Sequence, residues 1–328
     1  MNPRTDGLRR AASVLGGSRR ARTVFIGSGG FGVESLRHLA SHDDVELVGV
    51  VTARPRPAGR RQELTKTPIH DTVDALDIAS VLTPERLRVP ESIPQVLALE
   101  PELLVLADYG QIVPADLLSL RHGALNLHPS LLPRHRGATP IPAAILAGDR
   151  ETGVTLMRMD EGLDTGPIVA QERMPLVGTE TTPGLEEALA NEAAHLLDRT
   201  LGPWVRGDLV PVPQSAQGAT LTRPLHRDDG RLDPRKSAVE LERQVRAYQP
   251  WPGSFVDTPS GRIVVWAASA GDSGGPAIGT FDERGLGVGG GGLLGLIEVQ
   301  PAGGKRMTWE AFLRGKPAIA GSRVLPGP

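Results

Sequence analysis

The apolar positions in the first two thirds of the chain form short runs, and stretches with helical spacing lie between them. Runs of this length, rich in Val, Ile and Leu, predict strands that are buried on both faces of a sheet. Residues 32–41 have a helical pattern, so a helix follows the first strand directly. The alternation predicts an α/β fold with a doubly wound, parallel sheet. The predicted strands are 23–26, 46–52, 103–107, 124–127, 154–159 and 167–175.

A long helix and a change of composition divide the chain. Leu185, Leu189 and Leu196 share one face of a helix predicted over 184–201. The segment that follows is rich in Pro, Gly and Gln, which is typical of a linker. We predict a disordered basic extension at 1–22, a first domain at 23–206, a linker at 207–227 and a second domain at 228–328.

Short strands separated by glycine turns predict that the second domain is a small β-barrel. Its glycine-rich segment, residues 285–295, is interpreted as a flexible hairpin. The other predicted elements of this domain are a helix at 237–247 and strands at 263–267, 279–281 and 293–300.

Composition excludes several classes of protein. The 328 residues suit two domains, and the net charge of −2 indicates no particular partner. The chain has no cysteine, which excludes disulfides, thiolate zinc sites and cysteine nucleophiles and fits a cytoplasmic protein. No apolar run approaches the roughly 20 residues that cross a membrane. The arginine-rich start leaves an organelle presequence or an early start site open as alternatives.

Candidate chemistry is concentrated on two loops. Asn126 and His128 end a predicted strand, and Pro129 stops the strand because it has no N–H to donate. Ligands of open α/β sheets bind at this edge of the sheet. Asp164 lies between two glycines in the second loop, residues 160–166. Each residue alone is typical of a turn, but an amide, an imidazole and a carboxylate together suit acyl transfer between nitrogens. No cluster of His, Asp and Glu has metal-ligand spacing, so we expect no metal.

Residues 27–32 match the G-x-G-x-x-G pattern of dinucleotide sites, after a strand and before a helix. The confirming acid near the end of the second strand is missing. Arg54 stands close to that position and could favour a 2′-phosphate, which keeps an NADP site open. The alternative is a tight turn between strand and helix.

Several motifs resemble those of the methionyl-tRNA formyltransferases, over nearly the whole chain. The resemblance implies a Rossmann-like formyltransferase domain followed by an OB-like β-barrel domain that helps to hold tRNA. It also implies 10-formyltetrahydrofolate as the formyl donor, methionyl initiator tRNA as the acceptor, and a monomer. The motifs lie at residues 54–60, 109–114, 125–140, 147–155, 159–166, 246–253 and 300–305, of which the Pro-Trp-Pro and Gln-Pro-Ala-Gly segments are specific to the tRNA branch.

The resemblance assigns roles to individual residues. Asn126, His128 and Asp164 match the family's catalytic positions. Six residues are expected to border the folate, and five basic residues of a Pro- and Gly-containing loop are expected to contact tRNA. The folate set is Tyr109, Gly110, Ser130, Leu131, Leu132 and Pro133; the tRNA set is Arg54, Arg56, Arg60, Arg61 and Lys66.

Formyl transfer needs an uncharged amine and donors aimed at the developing oxyanion. We expect Asn126 to donate through its amide and His128 to donate as a charged ring. Asp164 is expected to keep that ring charged and to hold a water that relays a proton. His135 is interpreted as facing solvent or tRNA. Because aromatic residues make up only 3 % of the chain, we expect backbone and shape contacts to RNA rather than base stacking.

The residues leave other functions open. The same three groups suit formyl transfer to a nucleotide-linked amino sugar or to glycinamide ribonucleotide, and they suit release of formate by water. An NADP-linked oxidoreductase and a non-enzymatic RNA-binding module are the more distant alternatives.

Overall fold

The computed structural model describes residues 19–58, 63–271 and 273–327. The predicted extension at 1–22 lies mostly outside this range, and its last two residues already belong to the first strand, which begins at Ala21. Within the described ranges, no helix is long and apolar enough to cross a membrane.

Within the described residues, the first part of the chain contains eleven strands and six α-helices. The strands are β1 (Ala21–Gly27), β2 (Val45–Val51), β3 (Arg56–Ala58), β4 (Glu63–Thr65), β5 (Val81–Leu82), β6 (Leu103–Ala107), β7 (Ala124–His128), β8 (Arg136–Gly137), β9 (Glu151–Arg158), β10 (Ile168–Pro175) and β11 (Leu221–Thr222). The helices are α1 (Val33–Ser41), α2 (Pro68–Ala75), α3 (Ser92–Leu97), α4 (Ala115–Leu118), α5 (Pro140–Ala147) and α6 (Thr182–Arg206).

Seven of these strands form a mixed sheet in the order β10-β9-β7-β6-β1-β2-β5. The five strands from β7 to β5 are parallel, as the alternation with helices predicts. The sheet is not parallel throughout, because β9 and β10 run antiparallel to their neighbours. Only a nine-residue loop joins β9 to β10, and a parallel pair needs a crossover of a dozen residues or more.

Apolar side chains cover both faces of this sheet. Leu125 and Leu127 of β7 point to the face packed by α1, α2, α5 and α6. Ala124 points to the opposite face, which α3 and α4 cover through Val96 and Leu117. Because side chains alternate along a strand, Asn126 and His128 share the face of Ala124. The two polar groups therefore stand on one side of β7, at its carboxyl end.

The second part of the chain is a five-stranded antiparallel sheet packed by two helices. Its pairings run β12-β13-β15-β14, with β16 added to β15. The prediction of a strand at residues 279–281 is wrong. Thr280 and Phe281 form only isolated bridges there. The elements are α7 (Ala238–Ala247), β12 (Ser254–Thr258), β13 (Gly261–Gly271), β14 (Gly285–Gly287), β15 (Leu293–Pro301), β16 (Met307–Thr308) and α8 (Trp309–Gly315).

The glycine-rich segment forms the hairpin between β14 and β15. Close approach of the backbone explains two of its glycines, Gly285 and Gly287. A Cβ on Gly285 would lie 2.1 Å from the Leu294 carbonyl oxygen, and one on Gly287 would lie 2.3 Å from that of Pro276. No larger residue fits either position without moving the backbone.

The segment between the two sheets follows the surface of the first. Val212 forms a bridge with Ile168, and β11 pairs with β8. These contacts bring the proposed linker, residues 207–227, against the loop that follows His128.

Candidate active site

His128 is buried at the carboxyl end of β7, where only 5 % of its surface is exposed. Its Nε2 lies 2.9 Å from the backbone carbonyl oxygen of His135. Because a carbonyl only accepts, Nε2 carries the proton. In the neutral ring Nδ1 is therefore an acceptor, and it faces the second loop.

Asp164 reaches the same place from the loop between β9 and β10. Its Oδ2 lies 3.7 Å from His128 Nδ1 and accepts the Gly137 backbone N–H at 2.7 Å. The residue has a left-handed φ of 52°, in a loop that Asp160 holds by accepting the Gly162 N–H at 3.0 Å. The carboxyl group and the imidazole thus lie within reach of one bridging water.

Asn126 is half-buried two residues before His128 on the same face of β7. Among the residues that the structure describes, its amide has no hydrogen-bond partner. The side chain therefore keeps two N–H donors for a bound molecule. The structure brings all three residues predicted from the sequence to one edge of the sheet.

Asp164 raises the pKa of His128, as expected, but not by enough to keep the ring charged. Burial lowers the pKa of His128, and the Asp164 carboxylate and the hydrogen bond to His135 offset this only in part. Desolvation of the charged form outweighs the attraction of a carboxylate that is 3.7 Å away. At neutral pH the ring is an uncharged acceptor at Nδ1.

The loop after His128 is fixed by Thr155 of β9. Its hydroxyl donates to the Ser130 carbonyl at 2.7 Å and accepts the Leu132 N–H at 3.1 Å. Gln171 of β10 bonds to the same hydroxyl at 2.8 Å and to the Leu132 carbonyl at 2.9 Å. Two neighbouring strands therefore hold the backbone that is predicted to border the folate.

His135 is buried, so its interpretation as a residue facing solvent or tRNA is wrong. Its Nε2 lies 2.7 Å from Asp149, which Arg134 also contacts through two hydrogen bonds. Burial opposes ionisation of Asp149, but the hydrogen bonds from Arg134 and His135 outweigh it and lower the pKa of the carboxyl. Asp149 thus holds the residue whose carbonyl orients His128.

Gln214 of the linker joins both loops. Its Nε2 donates to the carbonyls of Asp164 at 2.9 Å and Gly166 at 2.7 Å, and its Oε1 accepts from Arg136 at 2.7 Å. Sequence reasoning missed this residue, since a Gln in a Pro-rich segment gives no local signal. It also missed Thr155 and Asp149, although both lie within a segment that carries the family resemblance.

The six predicted folate residues differ in what they expose. Ser130 and Leu132 are buried, and the Ser130 hydroxyl donates to the Arg134 carbonyl at 2.6 Å. Gly110 is exposed with open space where a Cβ would stand. Burial raises the pKa of Tyr109 to about 12, and its hydroxyl is buried without a partner in the described residues. The remaining two, Leu131 and Pro133, are half-buried.

The predicted tRNA residues are only partly placed, since Arg60 and Arg61 lie outside the described residues. Arg54 donates to the Thr83 carbonyl at 2.8 Å, and Lys66 pairs with Asp74. Arg56 lines a cavity of about 270 Å³, and the other side chains around it are Glu85, Arg86, Arg88, Gln111 and Ile112. Two of these residues, Gln111 and Ile112, directly follow Gly110 in the sequence.

The glycine turn at 27–32 faces two carboxyl groups that the sequence did not reveal. A Cβ on Gly29 would lie 1.5 Å from Asp108, and one on Gly30 would lie 3.2 Å from Glu186. Desolvation raises the pKa of Asp108, although the residue as a whole is exposed. Desolvation and the nearby Asp108 also raise the pKa of Glu186. The Glu186 carboxyl accepts the Phe31 backbone N–H. The turn therefore already carries a carboxylate where a pyrophosphate would bind, which argues against the NADP alternative.

No group of His, Asp and Glu in the described ranges has the geometry of a metal site.

Comparison with known proteins shows the family to which the chain belongs. The formyl transferase family matches residues 21–201, and the formyl transferase C-terminal domain matches residues 224–317. The fold is shared with solved structures, one of which is an N-formyltransferase from Helicobacter canadensis in complex with folinic acid and dTDP-3-aminofucose. It has a TM-score of 0.60 at 17% identity, covering 84% of this chain and 99% of that one.

Curated relatives are more similar. The methionyl-tRNA formyltransferase of Myxococcus xanthus is 42% identical over 93% of this chain and 98% of its own length. That of Roseiflexus sp. is 40% identical over 92% of this chain and 95% of its own. The chain belongs to the methionyl-tRNA formyltransferase family, whose members are formyl-tetrahydrofolate-dependent transferases.

Proposed function

We propose that this protein transfers the formyl group of 10-formyltetrahydrofolate to the α-amino group of methionyl initiator tRNA. The observation that carries the proposal is the convergence of Asn126, His128 and Asp164, with Asp164 3.7 Å from the imidazole. The amino-acid sequence is also about 40% identical, over most of its length, to relatives with that name.

Bound 10-formyltetrahydrofolate supplies an electrophilic formyl carbon, whose oxygen becomes negatively charged as an amine attacks. The amide of Asn126 is free to donate to that oxygen. A preorganised donor of this kind lowers the barrier by about 2.7–4 kcal/mol. Asn126 is held by the strand itself, since it pairs in register with Leu106 and Met157 on the two neighbouring strands.

His128 takes the proton that the amine must lose. Its Nε2–H is committed to the His135 carbonyl, so Nδ1 is the atom that accepts. The lowered pKa keeps Nδ1 free at neutral pH, and the Asp164 carboxylate stabilises the imidazolium once it forms. The charged ring then returns the proton to the departing nitrogen. A water between His128 and Asp164 could carry this proton, which gives Asp164 a second role.

The residues around the site fit a folate. Gly110 leaves open space at the sheet edge, and the unpartnered Tyr109 hydroxyl offers a buried hydrogen-bonding group. The Ser130–Pro133 backbone is fixed by Thr155 and Gln171. We assign Tyr109, Gly110 and the exposed surfaces of Leu131 and Pro133 to folate binding, whereas Ser130 and Leu132 hold the loop.

We assign binding of the tRNA acceptor stem to the arginine-lined cavity that includes Arg56. Arg56, Arg86 and Arg88 line one cavity, and a single carboxylate, Glu85, stands among them. Arginine guanidinium groups bind phosphate oxygens through paired hydrogen bonds. Arg60 and Arg61 lie outside the described residues and stay in the tRNA set on the family resemblance alone. Arg54 and Lys66 contribute less, because each has an acidic partner.

The chemistry needs no metal, since Asn126 and His128 supply the donor and the acceptor. We propose that the protein acts as a cytoplasmic monomer. Addition of a chelator is expected to leave the rate unchanged, and sedimentation at working concentration is expected to give the mass of one chain.

A competition between acceptors tests the proposed function. Purified protein is mixed with 10-formyltetrahydrofolate that carries a labelled formyl group. Methionyl initiator tRNA, an amino-sugar nucleotide and glycinamide ribonucleotide are offered in turn, and free formate is measured without an acceptor. Label on the tRNA alone is expected. Label on another acceptor, or rapid release of formate, would contradict the proposal.

A further inference from the structure

Trp251 is unlike the other three tryptophans of the chain. Trp204, Trp266 and Trp309 each donate the indole N–H to an oxygen, at 3.0 Å in every case. The indole of Trp251 has no such partner among the described residues, and 53% of the residue is exposed. Exposure of a large aromatic group costs hydrophobic stabilisation, so its position calls for an explanation beyond packing.

The exposed indole forms one wall of a cavity. This cavity has a volume of about 180 Å³, and Pro252, Phe255, Val264, Arg227 and Arg262 complete its lining. The guanidinium of Arg262 lies over the Phe255 ring, 3.7 Å from its centre. Phe255 itself is buried, so the flat apolar surface that the cavity offers is the Trp251 indole, next to the positive charge of the arginines.

The two arginines of the cavity differ in their free charge. Arg262 is paired with Asp257 through hydrogen bonds of 2.8 and 3.1 Å. Arg227 is exposed and forms no ion pair within the part of the chain that the structure describes. Arg227 is thus the cation available to a negatively charged group of a bound molecule.

The same chemistry continues along β13. Val264 and Trp266 are two residues apart and share the outer face, opposite the buried Ile263 and Val265. Arg306 stacks over the Trp266 ring, 4.1 Å from its centre. Aromatic rings and guanidinium groups therefore follow one another across the outer face of this sheet.

We propose that Trp251 and Arg227 form a nucleotide subsite for the tRNA substrate, in which the indole stacks on an unpaired base and Arg227 binds a phosphate. Proteins recognise RNA mainly at unpaired bases, which stack on aromatic side chains, and basic groups beside them hold the backbone. This inference rests on the proposed function. It also changes the expectation that the chain has no stacking platform.

The subsite is held in a fixed position relative to the catalytic sheet. Trp251 follows α7, whose last residue, Ala247, packs in the core of the first sheet. The Thr182 hydroxyl donates to the Ala247 carbonyl at 2.6 Å, and Arg246 donates to the Glu180 carbonyl at 2.7 Å. An RNA bound at Trp251 is therefore held in a fixed position relative to the loops that carry His128 and Asp164.

The test measures the binding of deacylated initiator tRNA, which cannot react, to the full-length protein and its variants. Trp251→Leu is expected to weaken binding by about 5- to 150-fold, the range that corresponds to loss of one stacked base. Trp251→Phe keeps an aromatic plane and is expected to restore most of the affinity. Arg227→Gln is expected to weaken binding and to reduce the slope of log K against log salt by about one unit.

Two control variants, matched to the changes at Trp251 and Arg227, lie elsewhere in the second part of the chain. Ile278→Ala removes an exposed apolar side chain outside the cavity, and Arg314→Gln removes an exposed arginine on α8. Both are expected to bind tRNA as the wild type does. Thermal unfolding of every variant separates loss of the subsite from loss of the fold.

Binding by Trp251→Leu within twofold of the wild type would overturn the inference, and so would equal weakening by Trp251→Phe. Equal weakening by Arg314→Gln would overturn the role of Arg227. These results differ from failure of the proposed function itself, in which the wild type transfers no formyl group to methionyl-tRNA. In steady-state assays, Trp251→Leu is expected to raise KM for methionyl-tRNA and to leave kcat and the KM for folate near their wild-type values.

Discussion

The catalytic edge of the first sheet and the outer face of the second sheet differ in how far their side chains are buried and hydrogen-bonded. At the edge, the side chains that hold His128 in place are buried or half-buried and hydrogen-bonded, from His135 through Asp149 to Thr155. On the outer face, Trp251 and Arg227 stay exposed without partners in the described residues. A reacting centre needs groups that do not move, whereas a surface that grips RNA needs groups that remain available.

This difference predicts which kinetic constant each region controls. Changes at the catalytic edge are expected to lower kcat, and changes on the outer face are expected to raise KM for tRNA. Single substitutions can break this separation, and the largest effect is expected at the catalytic edge.

Asn126→Ala removes the amide proposed to donate to the developing oxyanion. We expect kcat to fall by about 10²- to 10³-fold, because a preorganised donor acts mainly in the transition state. Single-turnover transfer of labelled formyl groups measures the effect. The matched control is Asn191→Ala on α6, whose amide donates to the Glu187 carbonyl at the surface. A rise in KM for tRNA with kcat unchanged would contradict the role of Asn126.

Thr155→Val removes the hydroxyl that holds the loop after His128. The buried Ser130 carbonyl and Leu132 N–H lose a partner, so we expect a loss of about 1–3 kcal/mol in the free energy of unfolding. Chemical denaturation measures this loss. Thr200→Val is the control, since the Thr200 hydroxyl donates to carbonyls of its own helix. Equal destabilisation by the two variants would mean that the loop does not depend on Thr155.

Asp149→Asn keeps the shape of the side chain but removes the charge that holds Arg134 and His135. We expect the His135 carbonyl to shift and kcat to fall by roughly tenfold, because small misplacements of a catalytic group are costly. The pKa of Asp149 is held low, so its contribution to stability is present above the unfolded pKa and is lost as pH falls through the lower folded value. Acid titration of unfolding should therefore show a smaller loss of stability at low pH in the variant. An unchanged kcat would show that His135 is held without Asp149.

The pH profile of kcat distinguishes the two roles considered for His128. If neutral Nδ1 accepts a proton, kcat falls as pH drops through the lowered pKa of His128. If a charged ring were required, kcat would fall as pH rises through the same value. Asp164→Asn removes a group that raises the pKa of His128, so the limb that belongs to His128 should move to lower pH. A limb due to the substrate amine should stay in place, which provides the internal control.

The regular elements of the first sheet could be predicted because their patterns are local. Residues 103–107 are five consecutive apolar residues, and β6 has the same bounds. Helix α5 was missed because Pro140 and Pro142 occupy its first turn, where proline is tolerated although it looks like a helix breaker. The strand β12 was missed because Ser254 and Asp257 obscure its apolar positions.

Some residues of the candidate site could also be predicted from the sequence, and others could not. Asn126, His128 and Asp164 stand out because glycine and proline mark the loops that carry them. The groups that tune them could not be predicted, since they come from distant parts of the chain. Gln214 lies 50 residues after Asp164, and Asp149 lies 14 residues after His135. The charge of His128 was misjudged for a physical reason, because burial cannot be measured from a single strand.

The most direct measurement of the central claim compares wild-type protein with Asp164→Asn in transfer of labelled formyl groups to methionyl initiator tRNA, with folate binding measured in parallel. We predict that the wild type forms N-formylmethionyl-tRNA. We also predict that Asp164→Asn loses about 10²-fold or more in single-turnover rate, as expected for removal of an electrostatic group from the reacting centre, while its folate affinity stays within about twofold. Absence of transfer by the wild type, or an unimpaired rate in Asp164→Asn, would contradict the account.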